Sequence, residues 1–305
     1  METIHTKNIH SSKINAVRQT VSAVTAAFAI FAATLLTSCV KDDLYHTPHP
    51  DKGAVVFSAD FSERSASCAA PTEYLLRHTC CEAADPCTMP GAAEKCHPEL
   101  FAPGKHTFHA WNGCERMTVT DGVAKVDETA QGVIESLPGY LFTTCREMDV
   151  VQDDTLRVNI PMAQRTRDLR FELTVTEGAP EWIASVKGTI SGIAGAFDLA
   201  AQKTTGEAVA TTVAFTRTGD KLTADARLLG IAGDRQTLVI DITFADGRTQ
   251  TTESDLTDYL KDFGSDMTET FRLAGDLNTP IEADMNATIE NWQPGNGGGE
   301  DADIK

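Results

Sequence analysis

Apolar and polar positions alternate along most of this chain beyond residue 53, and the alternation is that of β-strands. Ala54–Phe61 is β-branched and apolar, and Tyr74–Leu76 is a shorter run. Lys105–Trp111 has a period of two. Met117–Thr120 and Val123–Val126 flank Asp121-Gly122, a pair suited to a type I′ hairpin turn, where both central residues need positive φ. Gly139–Thr144 and Thr155–Ile160 follow; in the latter, Leu156, Val158 and Ile160 alternate with polar neighbours. Pro161–Arg167 breaks the pattern. Leu169–Val175 resumes it, and further strands are expected at 182–190, 208–216, 221–229 and 237–245. Asp246-Gly247 offers a second turn, toward residues 248–252. Leu256, Tyr259, Leu260 and Phe263 lie at i, i+3, i+4 and i+7, so one helix is expected. Ser254 or Asp255 can cap its start and Gly264 its end. Ile281–Glu290 alternates throughout and reads as a strand.

Repeated short strands and a single helix predict an all-β protein, with two tandem sandwich domains and the short helix in the second. The expected boundaries are 54–163 and 164–292. Residues 39–53 read as a tether, and 293–305, from Pro294 through Gly299 and beyond, as a flexible acidic tail. Residues 79–103 hold Cys80, Cys81, Cys87 and Cys96 with Pro86, Pro90, Pro98 and Pro103, so an irregular loop is expected there.

The N-terminus has a different character. Lys7, Lys13 and Arg18 precede an uncharged stretch from Thr20 to Leu36, as in secretory signals. That stretch is too short and too rich in Ala and Thr for a membrane span. It ends in Leu36-Thr37-Ser38-Cys39, which resembles a bacterial lipoprotein cleavage box. Residues 1–38 would be removed, and Cys39 would join the protein to outer-membrane lipid. Lys41, Asp42 and Asp43 follow directly and resemble the surface-export signal of Bacteroidetes lipoproteins. The expected location is therefore the cell outer membrane, lipid-anchored and facing outward.

Net charge is −18. Loss of the basic leader makes it more negative. Such acidity argues against nucleic acid as a partner, since phosphates need Lys and Arg to neutralise them, and none is expected. In an oxidising compartment the seven cysteines beyond Cys39 read as disulfide formers: Cys68, Cys80, Cys81, Cys87, Cys96, Cys114 and Cys145. Their connectivity is open, and an odd number leaves one unmatched. A metal site drawn from His78, Cys80, Cys81, Cys87, Cys96 and His97 lacks the C-x2-C spacing of structural zinc, so no metal is expected. No catalytic motif is present for metalloprotease, serine hydrolase, phosphate-loop or dinucleotide chemistry, so neither enzyme activity nor a cofactor is expected. His109 and Trp111 share one strand face, and His106 lies on the other. Glycan binding would use Trp111, Trp182 and Trp292, of which the last two sit in strand patterns that suggest packing.

Several segments together resemble the FimB/Mfa2 family of Bacteroidetes fimbrial subunits: Ser38–Tyr45, Thr47–Val56, Pro103-Gly104-Lys105, Leu137–Phe142, Asp153–Val158 and Leu256–Phe263. The cysteines after Cys39 depart from that family's pattern. The resemblance implies two transthyretin-like β-sandwiches in a lipid-anchored subunit. Such a subunit roots a fimbria in the outer membrane and joins a stalk subunit by strand exchange. The alternative is a surface glycan-binding lipoprotein.

Overall fold

The computed structural model describes residues 51–79, 85–279 and 286–296. The fold is all-β. Strands β1 (Ala54–Asp60), β4 (Lys95–Cys96) and β9 (Thr155–Pro161) form a three-stranded sheet in the order β4-β1-β9, with β1 and β9 parallel. A five-stranded antiparallel sheet lies against it. Its order is β10 (Ala163–Gln164), β8 (Phe142–Val150), β5 (Gly104–Trp111), β2 (Glu73–His78) and β3 (Cys87–Pro90). Between the two sheets sits one core, built from Val55, Phe57, Tyr74, Leu76, Phe108, Phe142 and Ile160.

The second half is dominated by two 16-residue strands, β12 (Ile183–Asp198) and β13 (Lys203–Thr218). Strands β14 (Lys221–Leu228), β11 (Arg167–Glu177), β17 (Phe271–Asn278) and β18 (Thr288–Asn296) extend from β13. Strands β15 (Thr237–Phe244) and β16 (Thr249–Asp255) extend from β12 on the other side. The hairpin β6 (Met117–Thr120) and β7 (Val123–Val126) also joins this assembly, because β7 pairs with the far end of β12. Its Met117, Ala124 and Val126 enter the second core with Leu169, Phe171, Ile190, Leu238 and Ile240. Strand β5 serves both cores. Phe108 and Ala110 face the first, and Trp111 faces the second.

Asp121 and Gly122 take φ of 51° and 77°, the two positive values a type I′ turn demands. The second Asp-Gly pair closes a longer turn, in which Gly247 alone is positive at 85° and donates its N–H to the Phe244 carbonyl. The expected helix is one turn, α1 (Thr257–Leu260). The Asp255 carboxylate accepts from the Thr257 N–H and hydroxyl. Beyond Leu260 the Phe263 N–H donates to the Leu260 carbonyl, three residues back rather than four, so the chain goes on as turns, and the Phe263 carbonyl is bound by Arg167. The apolar spacing is still used, since Leu256, Leu260 and Phe263 are fully buried.

Three further expectations are corrected. The last strand, expected at 281–290, is seen at Thr288–Asn296, and residues 280–285 lie outside the described residues. Pro294 and Gly295, expected in the tail, pair with Leu273 and Arg272. Proline is tolerated there because β18 is an edge strand. Trp182 is 54% exposed on a 3₁₀ turn (Pro180–Trp182) rather than packed. No helix among the described residues is long and apolar enough to cross a membrane.

Candidate assembly edge

Cys39, Lys41, Asp42 and Asp43 lie outside the described residues. The described chain enters the fold at Gly53, which exchanges two backbone hydrogen bonds with Phe101, at 2.8 and 2.9 Å. A Cβ at Gly53 would stand 2.2 Å from the Val151 carbonyl oxygen, so only glycine fits the entry point. From there β1 runs beside β9, which is an open edge.

The orientation of β9 follows from two bonds at its ends. The Ala54 N–H donates to the Asp154 carbonyl at 2.9 Å, and the Met162 N–H donates to the Asp60 carbonyl at 2.8 Å. In a parallel ladder these bonds aim the main-chain groups of even-numbered residues at β1. The amides and carbonyls of Thr155, Arg157 and Asn159 therefore face away from β1, where no strand among the described residues meets them. Pro161 occupies the same outward register, where a missing N–H costs no ladder bond. On the inward face Ile160 is buried, but Leu156 and Val158 are only half-buried. The core is thus uncovered along this side. Strand β8 is also open beyond Phe142 and Thr143, the two residues that β10 covers. The turn at 151–154 joins β8 to β9, so two open edges adjoin. An unpaired edge with half-covered apolar side chains is a template for strand addition.

The edge at β3 is guarded. On β3, the Lys95 ammonium donates to the Thr88 carbonyl at 2.8 Å. On the outer face of β9, Arg157 pairs with Glu94 at 2.5 Å, but both are well exposed, so the pair adds little stability.

Among the described residues, no cysteine forms the bridge expected of it. Cys68, Cys87, Cys96, Cys114 and Cys145 are all free, and Cys80 and Cys81 lie outside the described residues. The physical reason is dispersal. Cys87 and Cys96 belong to different sheets, and Cys145 sits on β8 with its sulfur 3.8 Å from His109 Nε2. Burial raises the thiol pKa of Cys68 and Cys145, and pushes Cys114 up to about 11. These are poor nucleophiles.

Three histidines gather around Phe101. His106 Nδ1 and His78 Nε2 are 2.8 Å apart, and His106 Nε2 donates to the Ala102 carbonyl at 2.6 Å. His97 packs on Phe101 at 4.9 Å between ring centroids. Burial lowers the pKa of His78 and His97, and for His78 the neighbouring His106 adds to the effect. No three metal-ligating side chains converge among the described residues.

The two halves are joined by a clamp. The Tyr140 hydroxyl donates to Asp168 at 2.5 Å, and Arg227 Nε donates to the same carboxylate at 2.7 Å. Arg227 also donates to the Pro138 carbonyl, and Tyr140 shares a hydrogen bond with Ser67. The outward parity of β9 and this clamp were not readable from sequence. Pro161 was the one residue that could have signalled the edge.

The sequence matches the family described as fimbrillin-A associated anchor proteins Mfa1 and Mfa2 over residues 98–296. No curated protein matches it. Among solved structures, it is similar to the fimbrial anchor protein Mfa2 of Porphyromonas gingivalis (TM-score 0.59, 12% identity, 80% of this chain and 97% of that one). It is also similar to a candidate adhesin of Bacteroides ovatus (TM-score 0.56, 14% identity, 83% and 97%). A third likeness is to a candidate polysaccharide-binding protein of Bacteroides thetaiotaomicron (TM-score 0.53, 14% identity, 80% and 97%). At these identities the likeness is one of fold.

Proposed function

Because the chain belongs to the family of fimbrillin-A associated anchor proteins Mfa1 and Mfa2, we propose that it is a non-enzymatic surface subunit that roots a fimbria in the outer membrane. In this reading Cys39 carries the lipid, and Lys41, Asp42 and Asp43 direct the protein outward. The tether expected at 39–53 ends short of Gly53, which already belongs to the fold, and leads into β1. The stalk subunit contributes a strand that pairs along β9.

The observation that carries the reading is the open edge of β9. Its outward main-chain groups supply affinity, and its half-covered Leu156 and Val158 supply register. Family membership supports a fimbrial partner for that edge over an unrelated one. A multi-chain lipid anchor is firm enough for such a load, whereas one acyl chain alone binds marginally.

The test is Arg157→Pro in the full-length protein, expressed at the cell surface. It removes an outward N–H while leaving the ladder to β1 intact, since edge positions tolerate proline. The expected result is normal surface display with loss of the co-purified fimbrial subunit. Undiminished recovery of that subunit would overturn pairing at β9. Separately, Cys39→Ala retained at the surface in normal amount would overturn the lipid anchor.

A further inference from the structure

A cavity of about 540 Å³ lies away from β9, between the two halves of the protein. Its size falls in the ordinary range for small-ligand pockets. One wall is Arg77 of β2 with His109 and Trp111 of β5. The facing wall is Asp121 of the β6–β7 turn and Asp198 with Leu199 of the β12–β13 turn.

The groups on these walls are held and left unspent. The Arg77 guanidinium lies over the Trp111 indole, 5.5 Å from the ring centroid. Its Nε is buried and has no hydrogen-bond partner. Buried polar atoms without partners are rare in native proteins, and the Arg77 side chain lines the cavity. On the opposite wall Asp198 Oδ1 accepts from the N–H groups of Ala200 and Ala201, at 2.8 and 2.9 Å. That fixes the carboxylate, and its second oxygen has no bond of this kind. The Leu199 N–H donates to the Gly122 carbonyl at 2.9 Å, which locks the two turns into one rigid wall. His109 lies between the signs: burial holds its pKa below the ordinary value, Arg77 adds to that and Asp198 opposes it. The cavity therefore offers a planar cation at one end and carboxylate acceptors at the other.

We propose that this cavity binds an acidic sugar, its carboxylate paired with Arg77 and its hydroxyls donating to Asp198 and Asp121. The guanidinium fork matches a carboxylate with two parallel hydrogen bonds, a geometry lysine cannot supply. The acids facing it can accept further hydrogen bonds, and ring hydroxyls provide several donors within the span of one sugar residue. A simple carboxylate would satisfy Arg77 alone, and a neutral sugar the acids alone. The site is independent of β9 and of any fimbrial partner.

The test is calorimetric titration of the intact protein with sodium D-glucuronate, beside D-glucose and sodium acetate, followed by Trp fluorescence. Saturable binding of glucuronate, at least tenfold tighter than of either control, is expected. Arg77→Gln should weaken it at least tenfold. Asp198→Asn keeps an Oδ1 acceptor for Ala200 and Ala201, so it should fold and still bind several-fold less tightly. Circular dichroism confirms that each variant is folded. Absence of saturable glucuronate binding overturns the proposal. So does binding that survives Arg77→Gln in a folded protein, or acetate binding as tightly as glucuronate.

Discussion

The Arg227 guanidinium stacks on the Tyr140 ring, 3.6 Å from its centroid, while both side chains bond the same Asp168 carboxylate. Tyr140 belongs to the first half of the chain, and Asp168 and Arg227 lie on β11 and β14 of the second. Asp168 and Arg227 are mostly buried, at 19% and 18% side-chain exposure, so this pair is sheltered from water and salt. Removing Arg227 leaves a carboxylate without its charge partner. Arg227→Ala should cost about 3 kcal/mol, and Tyr140→Phe about 1 kcal/mol, in urea unfolding. If both variants unfold at the wild-type midpoint, the clamp contributes nothing to stability.

Arg167 is fully buried and donates to the carbonyls of Glu269 and Phe263, with its guanidinium 5.0 Å from the Phe271 ring centroid. It ties the segment after α1 to β11. Arg167→Ala strips those carbonyls of their donor, at a cost of about 3 kcal/mol or more. Trypsin should then cut after Lys261 at least tenfold faster than in wild type. Unchanged digestion there would show that Gln164, which donates to the Met267 carbonyl at 2.6 Å, holds the segment by itself.

The histidines around Phe101 give stability a pH dependence with a defined sign. Burial holds His78 and His97 below the ordinary value of 6.5, which each regains on unfolding. Facing them are His106, Glu99 and Lys95. Below that value the unfolded chain binds protons that the folded protein refuses. Stability is therefore complete above about pH 6.5 and falls as the pH drops through the lowered values. Melting temperature should be level from about pH 7 to 8 and decline toward pH 5. His78→Gln should make that decline shallower, the remainder coming from His97 and His109, which burial also lowers. The lowered carboxyls of Asp60, Asp246, Asp255 and Asp266 act only below their ordinary 3.8, so they leave this window untouched.

The free thiols should differ in reactivity. Cys96 is exposed, whereas Cys114 is held at about 11 by burial, with Asp127 adding to the shift. At about pH 7.5, alkylation mapped by mass spectrometry should modify Cys96 first and Cys114 only on unfolding. Equal rates at the two positions would show that the Cys114 environment opens in the native state.

Much of the strand pattern was legible because one face of each strand is buried and the other wet. Residues 54–60, 117–126 and 221–228 fall where their alternation put them. Strand β17 was missed, although Phe271, Leu273 and Leu277 alternate inward. It sits between a helical spacing and a stronger-looking run at 281–290, and Gly275 weakens its signal. A Cβ there would come within 3.1 Å of the Trp292 ring, a tight contact that the indole would have to yield to. The helix is shorter than its apolar spacing suggests because Phe263 keeps that spacing while its N–H bonds three residues back, to Leu260. The open edge was hidden for a different reason. Hydropathy reports which face a strand buries, and says nothing of which side its amides lack a neighbour.

The parallel pairing of β1 with β9 has a mechanical consequence. The chain leaves the start of β1 at Gly53, and the ladder runs from Ala54 opposite Thr155 to Asp60 opposite Pro161. A pull on the chain directed along the strand axis loads every rung of that ladder at once, in shear. The same pull at right angles would open the rungs one by one, as a zipper does. Drag aligned with β1 would meet the fold in its strong direction.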